Sequence, residues 1–395
     1  MDNAPINPVQ SVQDDFLVEI KDLGRRLDSI NLPQDLKDEA LRAISRLSRM
    51  AKYGNYSREF ETIDKYVDWI TRIPWGNLSI DNYDIDNARK VMDSTHYGME
   101  VIKNIILDYL AVMQLQKRGL TTTTPEPVNV ANKEFINPYN VPAVANSGIS
   151  TSSKSLVLLF VGLQGVGKTS LAKSIATAMG RKFVRISLGA IGDVKILRGV
   201  PKYSEGAEPG QIIKALVRTQ SMNPVILLDE IEKSSRQENF LSDVMAALLE
   251  ILDPEQNKAF IDHYVDYPVD LSNVFFICTA NNLGGLSAAL LDRVEVIRFS
   301  SYSDGEKEVI AKNYILPKIL KETGLSNQHL QIQDNVWAML IRPVGFDAGI
   351  RQLERNINTL VRSVARRLVT NSPIPVVITT ENLRDFVLPD QGPLS

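Results

Sequence analysis

The sequence predicts an α/β fold: a mostly parallel sheet flanked by helices, preceded by a helical neck and followed by a smaller, mainly helical domain. Three observations predict it. A continuous apolar run occurs at Leu156–Val161, as expected of a strand buried on both faces, and strand-like runs recur at Phe183–Leu188, Val225–Leu228, Val274–Ala280 and Val294–Phe299. Helical segments separate these runs, and that alternation belongs to a parallel sheet. On either side of this block, apolar residues recur at helical rather than strand spacing.

Taken in order, residues 1–13 are polar and predict a disordered lead. Residues 14–76 predict the neck, with Phe16, Ile20, Leu23 and Leu27, then Leu36, Ala40, Ile44 and Leu47, at helical spacing. Leu32-Pro33 divides the two helices, Pro33 suiting the first turn of the second. A third helix, Glu59–Thr71, ends at Ile73-Pro74-Trp75. The apolar stripe of this neck can pair with itself, with another chain, or with the next domain. Residues 77–302 predict the large α/β domain, opened by a helical stretch over Asn87–Met113 that breaks at His96-Tyr97-Gly98. Within it, residues 120–154 are rich in Thr, Ser, Asn and Pro and predict a flexible insert. Residues 303–395 predict the small domain, helical to about Val369, with a short strand at Val376-Val377-Ile378 and a last helix, Thr380–Phe386, capped by Thr380.

The chain is 395 residues long, 44% hydrophobic and 23% charged, enough for two or three ordinary domains. Its net charge of −3 gives no global electrostatic drive toward nucleic acid or membranes. The lone cysteine, Cys278, sits in an apolar run and reads as core. With no signal-peptide pattern at Met1–Gln13 and no apolar stretch of membrane-spanning length, the expectation is a cytoplasmic protein without membrane contact.

The chemistry is concentrated in a few places. Gly162-Leu163-Gln164-Gly165-Val166-Gly167-Lys168-Thr169 lies between a predicted strand and a predicted helix, the context a phosphate-binding loop needs. Backbone amides of Gly162, Gly165, Val166 and Gly167 would cradle phosphates, with Ser170 in the same turn. Lys168 would reach the β- and γ-phosphates of ATP, and Thr169 would hold Mg²⁺ through its hydroxyl. Val225-Ile226-Leu227-Leu228-Asp229-Glu230 is an apolar strand ending in two carboxylates. Asp229 suits the Mg²⁺ shell and Glu230 the polarising of an attacking water. Asn281, ending the next strand, is placed to orient that water or simply to terminate the strand. Arg293 is either a surface ion-pair residue or a finger toward a neighbouring subunit's γ-phosphate. Arg351 opens a helix in the small domain and is expected to reach the nucleotide across a cleft.

This set, Lys168, Asp229-Glu230, Asn281, Arg293 and Arg351, resembles an AAA+ P-loop ATPase. Further segments are similar to the Lon family of ATP-dependent proteases. They are residues 181–189 (RKFVRISLG), 248–257 (LLEILDPEQN), Asp262-His263-Tyr264, Trp69 with Pro74-Trp75, and His96-Tyr97-Gly98, which in that family lies by the adenine pocket. The likeness runs from Phe16 to Leu388, apart from the insert. It implies a homo-oligomeric, usually hexameric ring with ATP between subunits, Arg293 acting on the neighbour's nucleotide and Arg351 sensing it from the small domain. It implies protein substrates, unfolded and threaded toward a Ser–Lys peptidase. It also implies some capacity for DNA, against which the acidic balance argues.

Two departures qualify that picture. The sequence stops at Ser395, where the family's peptidase would begin, so the expected activity is ATP hydrolysis, with endopeptidase activity only if such a domain follows. The substrate-gripping loop is also altered. Where the family carries an aromatic and then an aliphatic residue, this sequence has Ser204 and Glu205, with Tyr203 one place early. Those side chains bury little apolar area, which predicts weak or specialised translocation. The second pore segment, 234–240, lacks the family's Gly-Asp-Pro. A nucleotide-gated scaffold with little threading is therefore the alternative expectation.

Overall fold

A computed structural model describes residues 8–51, 57–117, 157–190, 194–235, 241–342, 349–370 and 374–387. The insert over 120–154 lies outside these residues, as does most of the second pore segment.

Three helices open the chain: α1 (Pro8–Asp28), α2 (Gln34–Ala51) and α3 (Ser57–Arg72). The first begins at Pro8, so residues 8–13 are helical rather than part of a disordered lead. Proline suits a first helical position, and no further proline or glycine interrupts the chain before Gly24. Leu23, Leu27, Leu36 and Leu47 are buried together with Val67 and Ile70 of α3 and with Ile73 just after it. That cluster is continuous with one side of the central sheet, so the neck's apolar stripe is covered within the chain. The Tyr66 hydroxyl donates to the Val265 carbonyl at 3.0 Å and fixes the junction.

Next come α4 (Ile85–Thr95) and α5 (Glu100–Lys117). Asp84 caps α4, accepting from the amides of Asp86 and Asn87. The break between the two helices carries positive φ at Gly98 (65°) and Met99 (57°).

The sheet is built from β1 (Val157–Val161), α6 (Lys168–Ala178), β2 (Phe183–Ser187), α7 (Lys195–Arg198), α8 (Gln211–Thr219) and β3 (Val225–Asp229). It continues through α9 (Leu241–Leu252), the small antiparallel pair β4 (Phe260–Ile261) and β5 (Pro268–Val269), β6 (Phe275–Ala280), α10 (Ala288–Leu291) and β7 (Val294–Arg298). The five main strands are all parallel, in the order β2-β3-β6-β1-β7. Every residue of β1, β3 and β6 is buried, as their unbroken apolar runs require. Because the strands are parallel, the carboxyl ends of β1, β3 and β6 emerge at one edge, where open α/β sheets bind ligands.

A second core gathers around α11 (Asp304–Ile310), α12 (Leu316–Thr323), α13 (Asp334–Ile341) and α14 (Arg351–Val369). One π-helical turn, Ala311–Ile315, joins α11 to α12. The helical pattern expected up to Val369 is broken by β8 (Leu330–Ile332), which pairs in parallel with β9 (Val376–Ile378). Three residues of strand are too short to show a period, and the partner lies beyond α14. The expected last helix is a single 3₁₀ turn, Leu383–Asp385. The residue at its N-cap position is Asn382 rather than Thr380; Asn382 Oδ1 accepts from the Thr379 amide, and the Thr379 hydroxyl accepts from the Asn382 amide.

Candidate nucleotide site

The loop after β1 turns back on itself through Gly165 (φ 83°) and Gly167 (φ 95°), conformations that residues with a Cβ rarely adopt. Gly162 is needed for a different reason: a Cβ there would lie 2.7 Å from the Phe299 carbonyl oxygen at the end of β7. Gly167 is the N-cap of α6 and offers no side-chain acceptor, so the first amides of that helix face the loop uncapped.

Lys168 is 9% exposed. Its ammonium donates to the carbonyls of Gly162 and Leu163, the latter at 3.0 Å, and to Asn281 Oδ1 at 3.3 Å. Burial lowers its pKa and the Arg351 charge acts in the same direction, while Asp229, Glu232 and Glu230 oppose them. A buried cation held by neutral carbonyls beside an uncapped helix start is chemistry that fits a phosphate.

Asn281 ties the cluster together. While its Oδ1 accepts from Lys168, its Nδ2 donates to Glu232 Oε1 at 2.7 Å. Glu232 was not among the residues singled out in the sequence; its only signal was a place two positions beyond Glu230, in the 3₁₀ turn Ile231–Ser235. A cleft runs between Leu163-Gln164 on one side and Glu232, Lys233 and Asn281 on the other. Glu230, which pairs with the lining residue Lys233, has φ 61°, unusual for a residue with a side chain. Its amide donates to the Thr279 hydroxyl at 3.0 Å, and its carboxylate pairs with Lys233 at 2.7 Å. Asp229, 5% exposed, accepts from Thr279 through Oδ1 and from the Arg185 guanidinium through Oδ2. Asp229 ends β3 and Thr169 follows Lys168, supplying the hard oxygen donors that Mg²⁺ prefers. One carboxylate oxygen would have to exchange Arg185 for the metal.

The small domain closes over the loop. The Ile350 amide donates to the Gly165 carbonyl at 3.1 Å, and the Tyr302 hydroxyl to the Val166 carbonyl at 3.0 Å. Arg351, the first residue of α14, comes within 3.5 Å of Gln164 Oε1. From the other side, His96 packs against α6: Nε2 lies 2.9 Å from the Ser170 hydroxyl and Nδ1 2.8 Å from that of Thr95. Burial, with help from the Lys103 charge, lowers the His96 pKa to about 4, so the ring is neutral. Tyr97 is exposed beside it.

Lys168, Asp229, Glu230, Asn281 and Arg351 thus gather at one sheet edge, with His96-Tyr97-Gly98 along α6. Arg293 does not join them. Its Nε donates to Asp253 at 3.0 Å and its Nη1 to the Ala289 carbonyl at 2.8 Å. Burial of Asp253 works to raise its pKa, yet bonds from the Glu255 amide and Arg293 hold it below the usual range. Tyr203, Ser204 and Glu205 lie elsewhere, at the tip of a loop closed by a bridge between Val200 and Glu208. Tyr203 is 71% exposed. The neighbouring Lys202 is tied to the neck by Glu39 at 3.1 Å and by the Tyr66 ring, whose centroid is 4.5 Å away.

The parallel sheet, the loop after β1 and the two carboxylates ending β3 define a P-loop ATPase. Residues 158–302 match the ATPase family associated with various cellular activities (AAA), and residues 321–376 match the Lon protease AAA+ ATPase lid domain. The chain belongs to the Lon family, whose AAA+ ATPase module it carries. It is 41% identical over 375 residues to Lon protease 2 of Thermus thermophilus, covering 94% of this chain and 43% of that protein. It is 40% identical over 377 residues to the Lon protease of Elusimicrobium minutum, covering 95% and 41%. With Lon protease 1 of Bacillus subtilis the identity is 38% over 369 residues, covering 93% and 43%. The chain therefore spans about two-fifths of the length of these relatives. Among the described residues, no helix is long and apolar enough to cross a membrane.

Proposed function

We propose that the chain hydrolyses Mg²⁺-ATP in the cleft between the β1–α6 loop and Glu232–Asn281, and uses the cycle to remodel protein substrates in the cytoplasm. The observation that carries this reading is the buried Lys168 ammonium, held by loop carbonyls and Asn281, with Arg351 reaching Gln164 of the same loop. When phosphate arrives, Lys168 leaves the carbonyls for phosphate oxygens, and the α6 amides take the remainder of the charge. Thr169 and Asp229 would hold Mg²⁺, which would supply Lewis-acid neutralisation of the phosphates. Glu230, once it exchanges Lys233 for water, accepts the water proton. The water oxygen then bonds to the γ-phosphorus as the bond to the bridging oxygen breaks, giving ADP and inorganic phosphate. Asn281 holds the water in line, and Arg351 senses the γ-phosphate from the small domain. Arg293, occupied by Asp253 within the chain, acts on a neighbouring subunit's nucleotide in a hexameric ring.

Peptide-bond cleavage, as the relatives' name of protease implies, would come from a peptidase coupled to this motor. A second reading, a nucleotide-gated scaffold, is favoured by the loop at Tyr203–Glu205, which offers one exposed aromatic ring and is leashed to the neck through Lys202. ATPase activity measured with and without an unfolded, tagged model protein separates the two. Stimulation that Tyr203→Ala removes supports remodelling. Nucleotide-dependent assembly with turnover indifferent to unfolded protein supports the scaffold.

A further inference from the structure

Asp229 has both carboxylate oxygens engaged. Oδ1 accepts from the Thr279 hydroxyl, while Arg185 Nε and Nη2 both reach Oδ2, at 2.7 and 2.6 Å. The two partners differ in freedom. Thr279 is wholly buried in β6, whereas Arg185 lies on the edge strand β2 with its side chain 51% exposed. The residue paired with Asp229 across the sheet is Ser187, two positions beyond Arg185. The guanidinium therefore reaches along the strand to the carboxyl edge, and solvent beside it leaves room to swing away.

A buried carboxylate at a metal site faces a problem between turnovers. Once metal and nucleotide leave, its charge loses compensation in a poorly solvated place, and removing the partner of a buried charge is strongly unfavourable. A cation that can approach and withdraw solves this. We propose that Arg185 is a positioning residue that stands in for the metal: it holds Asp229 when no metal is bound and yields Oδ2 to an incoming divalent cation. Arg185 thereby sets how much Mg²⁺ the site needs. Lysine would not substitute fully, since one ammonium cannot present the two donors that converge on Oδ2. The proposal rests on reading Asp229 as the metal-side carboxylate.

The test is Mg²⁺-dependent binding of a fluorescent ADP analogue to the intact chain, compared with binding in EDTA, for wild type, Arg185→Gln, Arg185→Lys and Asp229→Asn. Arg185→Gln should lower the half-effective Mg²⁺ concentration about two- to fivefold, as expected when a half-exposed competing ion pair is lost. A cooperative thermal unfolding transition reports that the variant is folded. Arg185→Lys should shift less in the same direction, and it carries the test if the glutamine variant does not fold. A half-effective concentration that stays fixed or rises in the Arg185 variants, while Asp229→Asn abolishes the Mg²⁺ effect, overturns the stand-in role alone. Retention of the Mg²⁺ effect by Asp229→Asn overturns the metal-side reading, and the proposal with it.

Discussion

Replacing Gly349 by alanine adds one methyl group where the small domain meets the phosphate loop. A Cβ at this position would lie 2.5 Å from the Gln164 carbonyl oxygen and 2.8 Å from both the carbonyl carbon and the Cα of Gly165. Ordinary carbon contacts sit near 3.5–4.0 Å, so the overlap approaches about 1 Å. All three atoms are backbone, and no side-chain rotation relieves the clash. The strain must then be met by moving the small domain off the loop, carrying Ile350 and Arg351 with it. Overpacking of this kind costs roughly 1–3 kcal/mol, which corresponds to nucleotide affinity about fivefold to a hundredfold weaker. Fluorescent-nucleotide titration measures the affinity, and thermal unfolding separates it from stability. Gly305→Ala, with nothing within 4 Å of its added methyl, is the matched control and should bind normally. Unchanged affinity in a folded Gly349→Ala, or an equal loss in Gly305→Ala, would refute the steric argument.

Other perturbations carry defined signs. Arg293→Ala should keep nucleotide affinity and lower turnover, and mixing it with Lys168→Ala should restore part of the activity; no recovery in mixed assemblies rejects action on a neighbour's site. His96 has its pKa lowered from 6.5 to about 4 on folding. The unfolded chain therefore binds the proton preferentially, and the stability due to the neutral ring is lost as pH falls from about 6.5 to 4, by up to about 3 kcal/mol. Denaturant unfolding of wild type and His96→Gln should show their stability difference changing by that much between pH 7 and 4. Asp262 behaves oppositely: burial raises its pKa from 3.8 to about 6, against bonds from the amides of Gly210, Val265 and Tyr264. Its contribution favours the folded state below about pH 4 and is lost as pH rises through about 6. NMR titration of its carboxyl should place the midpoint near 6; a midpoint near 4 contradicts the burial argument.

What the sequence made legible were features set by local pattern. Apolar runs identify the central strands β1, β3 and β6 because they are buried on both faces, and the glycine spacing from 162 to 169 identifies the loop because its backbone needs those conformations. What escaped depends on residues distant in the chain. Arg185 reads as an ordinary strand residue until β2 and β3 are paired. Glu232 acquires meaning only once Asn281 bridges it to Lys168. Gly349 looks like a helix opener until Gln164 and Gly165 are set against it. The neck's stripe left three partners open, and only packing against the sheet domain selects among them. Strand β8 is too short for any period to reveal.

The central claim is that one cleft both holds ATP through Lys168 and activates water through Glu230. Parallel measurement of fluorescent-ATP binding and phosphate release for Lys168→Ala and Glu230→Gln addresses it most directly. Lys168→Ala should lose binding, and turnover with it. Glu230→Gln should bind with wild-type affinity and release phosphate at least about a hundredfold more slowly, the scale of a lost general base. Undiminished phosphate release by Glu230→Gln, or normal ATP binding by Lys168→Ala, would contradict the account.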